Sequence, residues 1–129
     1  MALLVLENIT KRFGGLVAVD RVSLKIEAGE SIGIVGPNGS GKTTLYNVIS
    51  GVYPPEEGKV IFEGKDITRL PPYKRAPMGI GRTFQIPRPF GSATVRENVA
   101  VGAMFGTLSN KVNVDQALEV ADHYIELIG

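Results

Sequence analysis

The sequence predicts an α/β fold, and three observations carry that expectation. Two segments with alternating apolar residues open the chain, an apolar run leads through a glycine-rich turn into a helix, and a long helical stripe closes it. At 129 residues the chain is long enough for one substantial core.

Taken in order, "LLVLENI" (Leu3 to Ile9) and "AVDRVSLKIEAGE" (Ala18 to Glu30) read as half-buried strands. In the second, Val22, Leu24 and Ile26 alternate with Ser23 and Lys25. Gly14 and Gly15 punctuate the two. "SIGIVG" (Ser31 to Gly36) is apolar on both faces and ends in glycine, which suits an interior strand of a parallel sheet. A helix is expected from near Gly41, with Leu45, Val48 and Ile49 on one face and Gly51 at its stop. A strand over Lys59 to Glu63, a tight turn at Gly64 and a short extended piece come next. The proline-, glycine- and arginine-rich stretch after them reads as irregular elements around one strand, "GIGRTF". Thr94 is placed to cap a helix beginning near Val95, with Glu97 in its first turn. "GTLSNKVN" reads as a loop. Residues 114, 117, 118, 121, 125 and 128 then form an apolar stripe, with Asp115, Glu119, Asp122 and Glu126 turned to solvent.

Composition narrows the functional classes. Apolar residues make up 43% and charged residues 21%, an ordinary globular balance. The formal charge of +1 provides no strong field toward nucleic acid or an anionic membrane, so no nucleic-acid partner is expected. Without cysteine there is no disulfide framework and no thiolate metal site. "MALLVLENITKRF" lacks the basic region and long apolar run of a signal peptide, and no run is long enough to span a bilayer. There is no internal repeat.

In "GPNGSGKTT" (Gly36 to Thr44) the first eight residues, Gly36 to Thr43, fit the pattern G-x-x-x-x-G-K-[ST], flanked by an apolar run before them and a helical segment after them. Glycines at 36, 39 and 41 let the backbone curl closely, with amides of Asn38, Gly39, Ser40 and Gly41 aimed inward at an anion. The helix that follows adds the partial positive charge of its N-terminus. Lys42 supplies a full charge. At roughly 4 Å, in an effective dielectric near 20, such a charge attracts a phosphate oxygen by about 4 kcal/mol before desolvation. The Thr43 hydroxyl is a hard donor suited to Mg²⁺, and Thr44 continues the turn. These residues read as a phosphate-binding loop.

The wider stretch "ITKRFGGLVAVDRVSLKIEAGESIGIVGPNGSGKTTLYNVISGVYPPEEGKVIFEGKDI" resembles the opening half of an ABC-transporter ATP-binding subunit, and "GIGRTFQ" resembles that family's Q-loop. "FGGLVAVDRVS", "MGIGRTFQIPRPFGSATVRENV" and "IELIG" are most similar to the subunits that power branched-chain amino acid uptake in prokaryotes. The resemblance implies an incomplete ABC-type nucleotide-binding domain of the P-loop NTPase class. It would comprise an antiparallel β subdomain, part of a parallel-sheet core and the start of a helical subdomain. Residues 1–129 would form the N-terminal portion of one such domain, with an ATP-binding core to about residue 93 and the helical part from about 94 to 129.

The same resemblance gives roles to single positions. Phe13 falls where the family stacks an aromatic ring on adenine, although by itself it reads first as a core residue at a strand end. Val19 would pack near the ribose, or simply in the core. Gln85 matches the glutamine that positions Mg²⁺ and the attacking water. The implied cofactors are ATP and Mg²⁺. The implied partners are transmembrane permease subunits, through the region after Gln85, and a second ATP-binding subunit. That places the protein peripherally on the cytoplasmic face of the cell membrane. Arg82, Arg88 and Arg96 suit partner contacts or ordinary solvated surface.

Other parts of the family pattern do not appear in the sequence. "LSGGQ" is missing, its nearest scrap being "TLSNK" at Thr107 to Lys111. After Gln85 no apolar run ends in Asp-Glu, and His123, the only histidine, follows no apolar strand. "LLVLE" precedes the phosphate loop, so Glu7 reads as structural. In-line attack on a phosphate needs positioned water and charge stabilisation on several sides. The expectation is therefore binding without turnover, by a truncated form of a longer chain whose apolar "SIGIVG" edges would drive self-association or strand swapping. Two other functions stay open: a stand-alone nucleotide-binding or dimerisation module, and a soluble ABC-type ATPase unconnected with transport.

Overall fold

The computed structural model describes residues 2–37, 41–83, 88–108 and 111–129. They fall into two compact units, Met1–Pro72 and Tyr73–Gly129.

The first unit is built on one four-stranded antiparallel sheet. Strands β1 (Ala2–Phe13), β2 (Leu16–Glu27), β3 (Glu57–Phe62) and β4 (Lys65–Asp66) lie in the order β2-β1-β3-β4. Leu4 and Leu6 of β1 are buried, Glu7 and Asn8 are exposed, and burial resumes at Ile9. The break in alternation is a bulge: the register against β2 shifts between Leu6 and Ile9, and Asn8 sits at φ 49. The Ser23 hydroxyl accepts the Asn8 N–H at 3.0 Å and so secures the irregular backbone. β3 meets the bulge with Gly58 (φ 96), whose backbone lies too close to the Glu7 and Asn8 carbonyls for any Cβ. The turn between β3 and β4 uses Glu63 at φ 50 and Gly64 at φ 80, two left-handed residues that match the strand twist.

Helix α1 (Lys42–Ser50) stops at Gly51 (φ 91), whose N–H reaches the carbonyls of Asn47 and Val48. Leu45 and Val48 of this helix are buried, and Leu4, Leu6, Ile9, Val19, Val60, Phe62 and Ile67 lie with them in the apolar interior of the unit.

The second unit is helical. The short helix α2 (Pro72–Arg75) crosses the boundary and runs into a 3-10 turn over Ala76–Met78. Helices α3 (Val95–Phe105) and α4 (Val114–Ile128) each begin with a reciprocal capping box, Thr94 with Glu97 and Asn113 with Gln116. They pack through small residues: Ala100 and Ala103 meet Ala117 and Ala121, with Met104, Leu108, Val112, Leu118 and Val120 around them. Among the described residues no helix is long and apolar enough to cross a membrane.

Two expected strands do not form. Residues 31–37 carry no regular structure and Val35 is 95% exposed; residues 80–83 likewise form no strand, with Phe84 outside the described residues. The reason is physical. A strand exists only as part of a ladder, and the ladders among the described residues are antiparallel and pair β1 with β2, β1 with β3 and β3 with β4. An apolar run without a neighbouring strand has nowhere to place its N–H and C=O groups except water.

Candidate functional site

The glycine-rich loop ends where α1 begins. Gly41 is the N-cap at φ 92 and, being glycine, offers no side chain to the first amides of the helix. A helix started this way leaves N–H groups pointing outward with the positive end of the dipole behind them. Only glycine serves here: the conformation is left-handed, and a Cβ would overlap the Ala18 carbonyl and sit 3.5 Å from a Val19 methyl. Thus Val19, buried in β2, backs the start of the helix.

Lys42 is the first residue of α1, and its ammonium donates to the Gly36 carbonyl across the loop. This partner is a carbonyl and not a carboxylate. Thr43 is exposed on the first turn and Thr44 is half-buried beside it. Asn38, Gly39 and Ser40 lie outside the described residues, as does Gln85. The structure therefore brings together Gly36, Gly41, Lys42 and Val19.

Phe13 stands at the end of β1 with 41% of its surface exposed. Tyr53, just past α1, presents its ring edge-on, with centroids 5.2 Å apart and planes at 79°. The ammonium of Lys11 lies 5.1 Å from the Phe13 centroid and 5.7 Å from that of Tyr53. Lys11 is itself paired with Glu56 at 2.9 Å, and the second oxygen of Glu56 accepts the Arg12 N–H at 2.9 Å. The Lys11 hydrogen bond first, and then the Arg12 N–H, hold the Glu56 carboxyl below the usual carboxylate range. Lys11 and Val19 are partners across the β1–β2 ladder. A single register position therefore backs both the helix start and the aromatic pair.

Lys11, Tyr53 and Glu56 are residues that sequence reasoning did not single out. The available signal was slight: a lysine two positions before an aromatic strand end, and a tyrosine two positions after a helix-stopping glycine.

Among the described residues no group of three or more His, Cys, Asp or Glu gathers as a metal site. The Thr43 hydroxyl is a single hard oxygen on an exposed turn, the type of donor that Mg²⁺ takes alongside phosphate oxygens and water. Of the arginines considered for partner contacts, Arg96 makes a two-pronged bond to Asp122, at 2.7 and 2.8 Å. His123 is exposed on α4 with its ring edge-on to Tyr124.

Residues 19–127 match the family model described as "ABC transporter". A probable branched-chain amino acid transport ATP-binding protein LivG of Archaeoglobus fulgidus is 50% identical over 78% of this chain and 39% of its own length. A spermidine/putrescine import ATP-binding protein PotA of Nitrosospira multiformis is 44% identical over 78% of this chain and 27% of its own. Among solved structures, a dimeric ATP-binding cassette in a post-hydrolysis state, bound to ADP and Pi, superposes with a TM-score of 0.78. It shares 28% identity over 93% of this chain and 54% of its own. The chain thus spans about two fifths of the length of the LivG relative. With a family match across most of its residues and a loop, cap and lysine arranged as described, the chain belongs to the ABC transporter family.

Proposed function

We propose that this chain is the nucleotide-gripping part of the ATP-binding subunit of an importer for branched-chain or other hydrophobic amino acids. The observation that carries the reading is the start of α1: a helix whose N-cap is a left-handed glycine without a capping side chain, with Lys42 at its first position. In this reading Gly36, Asn38, Gly39, Ser40 and Gly41 supply backbone amides to the phosphates of ATP. Lys42 exchanges the Gly36 carbonyl for β- and γ-phosphate oxygens. Thr43 would hold Mg²⁺, which when bound neutralises phosphate charge, and Thr44 supports the same turn. Phe13 stacks on the adenine and Val19 lies beside the ribose.

Gln85 positions water, and the segment after it docks on the permease subunits at the cytoplasmic face of the membrane, with a second ATP-binding subunit opposite. Residues to about 93 belong to the ATP-binding core and those from about 94 to the helical part. The dimeric ADP-bound cassette supports the nucleotide and the second subunit. The greater identity of the LivG relative than of the PotA relative supports amino acids as the cargo. Since the sequence contains no "LSGGQ" and no apolar strand ending in Asp-Glu after Gln85, binding without turnover is expected of these 129 residues.

Calorimetric titration with Mg-ATP, beside the Lys42→Ala variant, tests the grip. Binding by the parent that the variant loses is expected, and equal heats from both would overturn it. For the cargo, the full ATP-binding protein with its permease should drive leucine uptake into vesicles. Uptake of putrescine alone would overturn the amino acid assignment.

A further inference from the structure

Phe13 is an awkward residue on which to build a flat binding surface. It ends a strand beside two glycines and is partly exposed, so nothing intrinsic to β1 fixes its ring. The fixing comes from Glu56. Its N–H donates to the Thr10 carbonyl at 2.9 Å, one carboxylate oxygen pairs with Lys11 and the other accepts the Arg12 N–H. Three consecutive residues leading to Phe13 are thereby held by one residue 45 positions further along the chain from Lys11. Tyr53 adds a hold from another side. The Val52 N–H donates to the Asn47 carbonyl at 2.8 Å and the Tyr53 N–H to the same carbonyl at 3.3 Å, which ties the backbone that carries Tyr53 to the end of α1. The helix that begins with Lys42 therefore ends by touching Phe13 through Tyr53.

Packing of its apolar stem does not by itself account for the placement of the Lys11 ammonium. Its side chain is only 11% exposed, and removing an ammonium from water costs free energy that an apolar side chain of similar length would not incur. What the ammonium gains, besides Glu56, is two aromatic rings. A cation on one side of a ring draws its π-electrons and makes the remaining face a better partner for an electron-rich heteroaromatic ring.

We infer that Lys11, Glu56 and Tyr53 are positioning residues that set the Phe13 ring as a platform for a purine base, with the Lys11 ammonium strengthening the stack. This rests on the reading of Phe13 given above. The trio acts on the base and not on the phosphates, so its signature is selective. Glu56 holds the lysine, Lys11 polarises the ring, and Tyr53 couples the ring to the phosphate-binding helix.

The test compares calorimetric affinities of the 129-residue chain for Mg-ATP and for inorganic tripolyphosphate with Mg²⁺, with Lys11→Met, Tyr53→Leu and Lys11→Arg beside the parent. The parent is expected to prefer ATP. Lys11→Met and Tyr53→Leu should each reduce that preference by about three- to tenfold while tripolyphosphate binding stays nearly constant; Lys11→Arg should retain it. A variant that merely unfolds in part loses affinity for both ligands and leaves their ratio unchanged, so an unaltered ratio in both variants would overturn the inference. A parent that binds tripolyphosphate as tightly as ATP would overturn it as well, while leaving the phosphate grip intact. A parent that binds neither ligand would overturn the grip and the platform together.

Discussion

Gly58 of β3 and Asn8 of β1 are fitted to each other: the glycine backbone at φ 96 occupies the space beside the Asn8 carbonyl, where no Cβ can enter. Gly58→Ala therefore meets both a left-handed backbone and a carbonyl wall. A loss of about 2–3 kcal/mol in denaturant-derived stability is expected. Gly15→Ala, with open space around it and no left-handed backbone, serves as the comparison and should change stability little. Equal effects at the two positions would contradict the fit.

Gly41→Ala should act on function as well as on stability. The added methyl would overlap the Ala18 carbonyl and crowd Val19, pushing the start of α1 off β2. Mg-ATP binding measured by calorimetry should be lost, whereas the β1–β2 hairpin, which needs no methyl-free contact there, should keep its hydrogen-exchange protection.

Acid should weaken the first unit through Glu56. Its folded carboxyl sits below the usual carboxylate range because of Lys11 and Arg12, so it contributes stability that is present above the ordinary value and lost as pH falls through the lowered one. Asp66, held down by the Thr68 hydroxyl and N–H, and Glu97, held down by the Thr94 N–H, act with the same sign. Thermal melts should therefore decline as pH drops below about 4. Glu56→Gln should start less stable at neutral pH and decline less steeply; an identical slope would count against the Lys11–Glu56 pair as a contributor.

The stretch at residues 31–37 should make the chain associate. Val35 is 95% exposed and Ile32 39%, on a backbone outside every described ladder. Light scattering should show mass rising with concentration, and Val35→Lys should suppress the rise. A monomer at all concentrations in both forms would show that this segment does not pair.

Sequence and structure agree where the determinants are local. The α1 start at Gly41–Lys42, its stop at Gly51 and the Thr94–Glu97 cap each depend on residues a few positions apart, and each was legible. The stripe on α4 was legible in its centre. Ala117 and Ala121 are buried, while Val114 and Ile128 at its ends are exposed, since apolarity marks a face without saying how far a neighbour covers it. "SIGIVG" fails as a strand because its pattern describes a partner rather than itself. The Lys11–Glu56–Tyr53 cluster was illegible for a related reason: its members meet only once β1 and β3 have paired, and nothing near Lys11 in the sequence announces Glu56.

The two capping boxes of the second unit have a consequence for the order of events during folding. Each closes between residues three positions apart, and the helices they start are near neighbours along the chain, so little chain entropy is spent before α3 meets α4. The pairing of Leu4 with Phe62 instead closes a loop spanning nearly half the chain. Stopped-flow refolding should accordingly show helical signal gained before β1 acquires its second neighbour. In time, the C-terminal unit leads and the sheet follows.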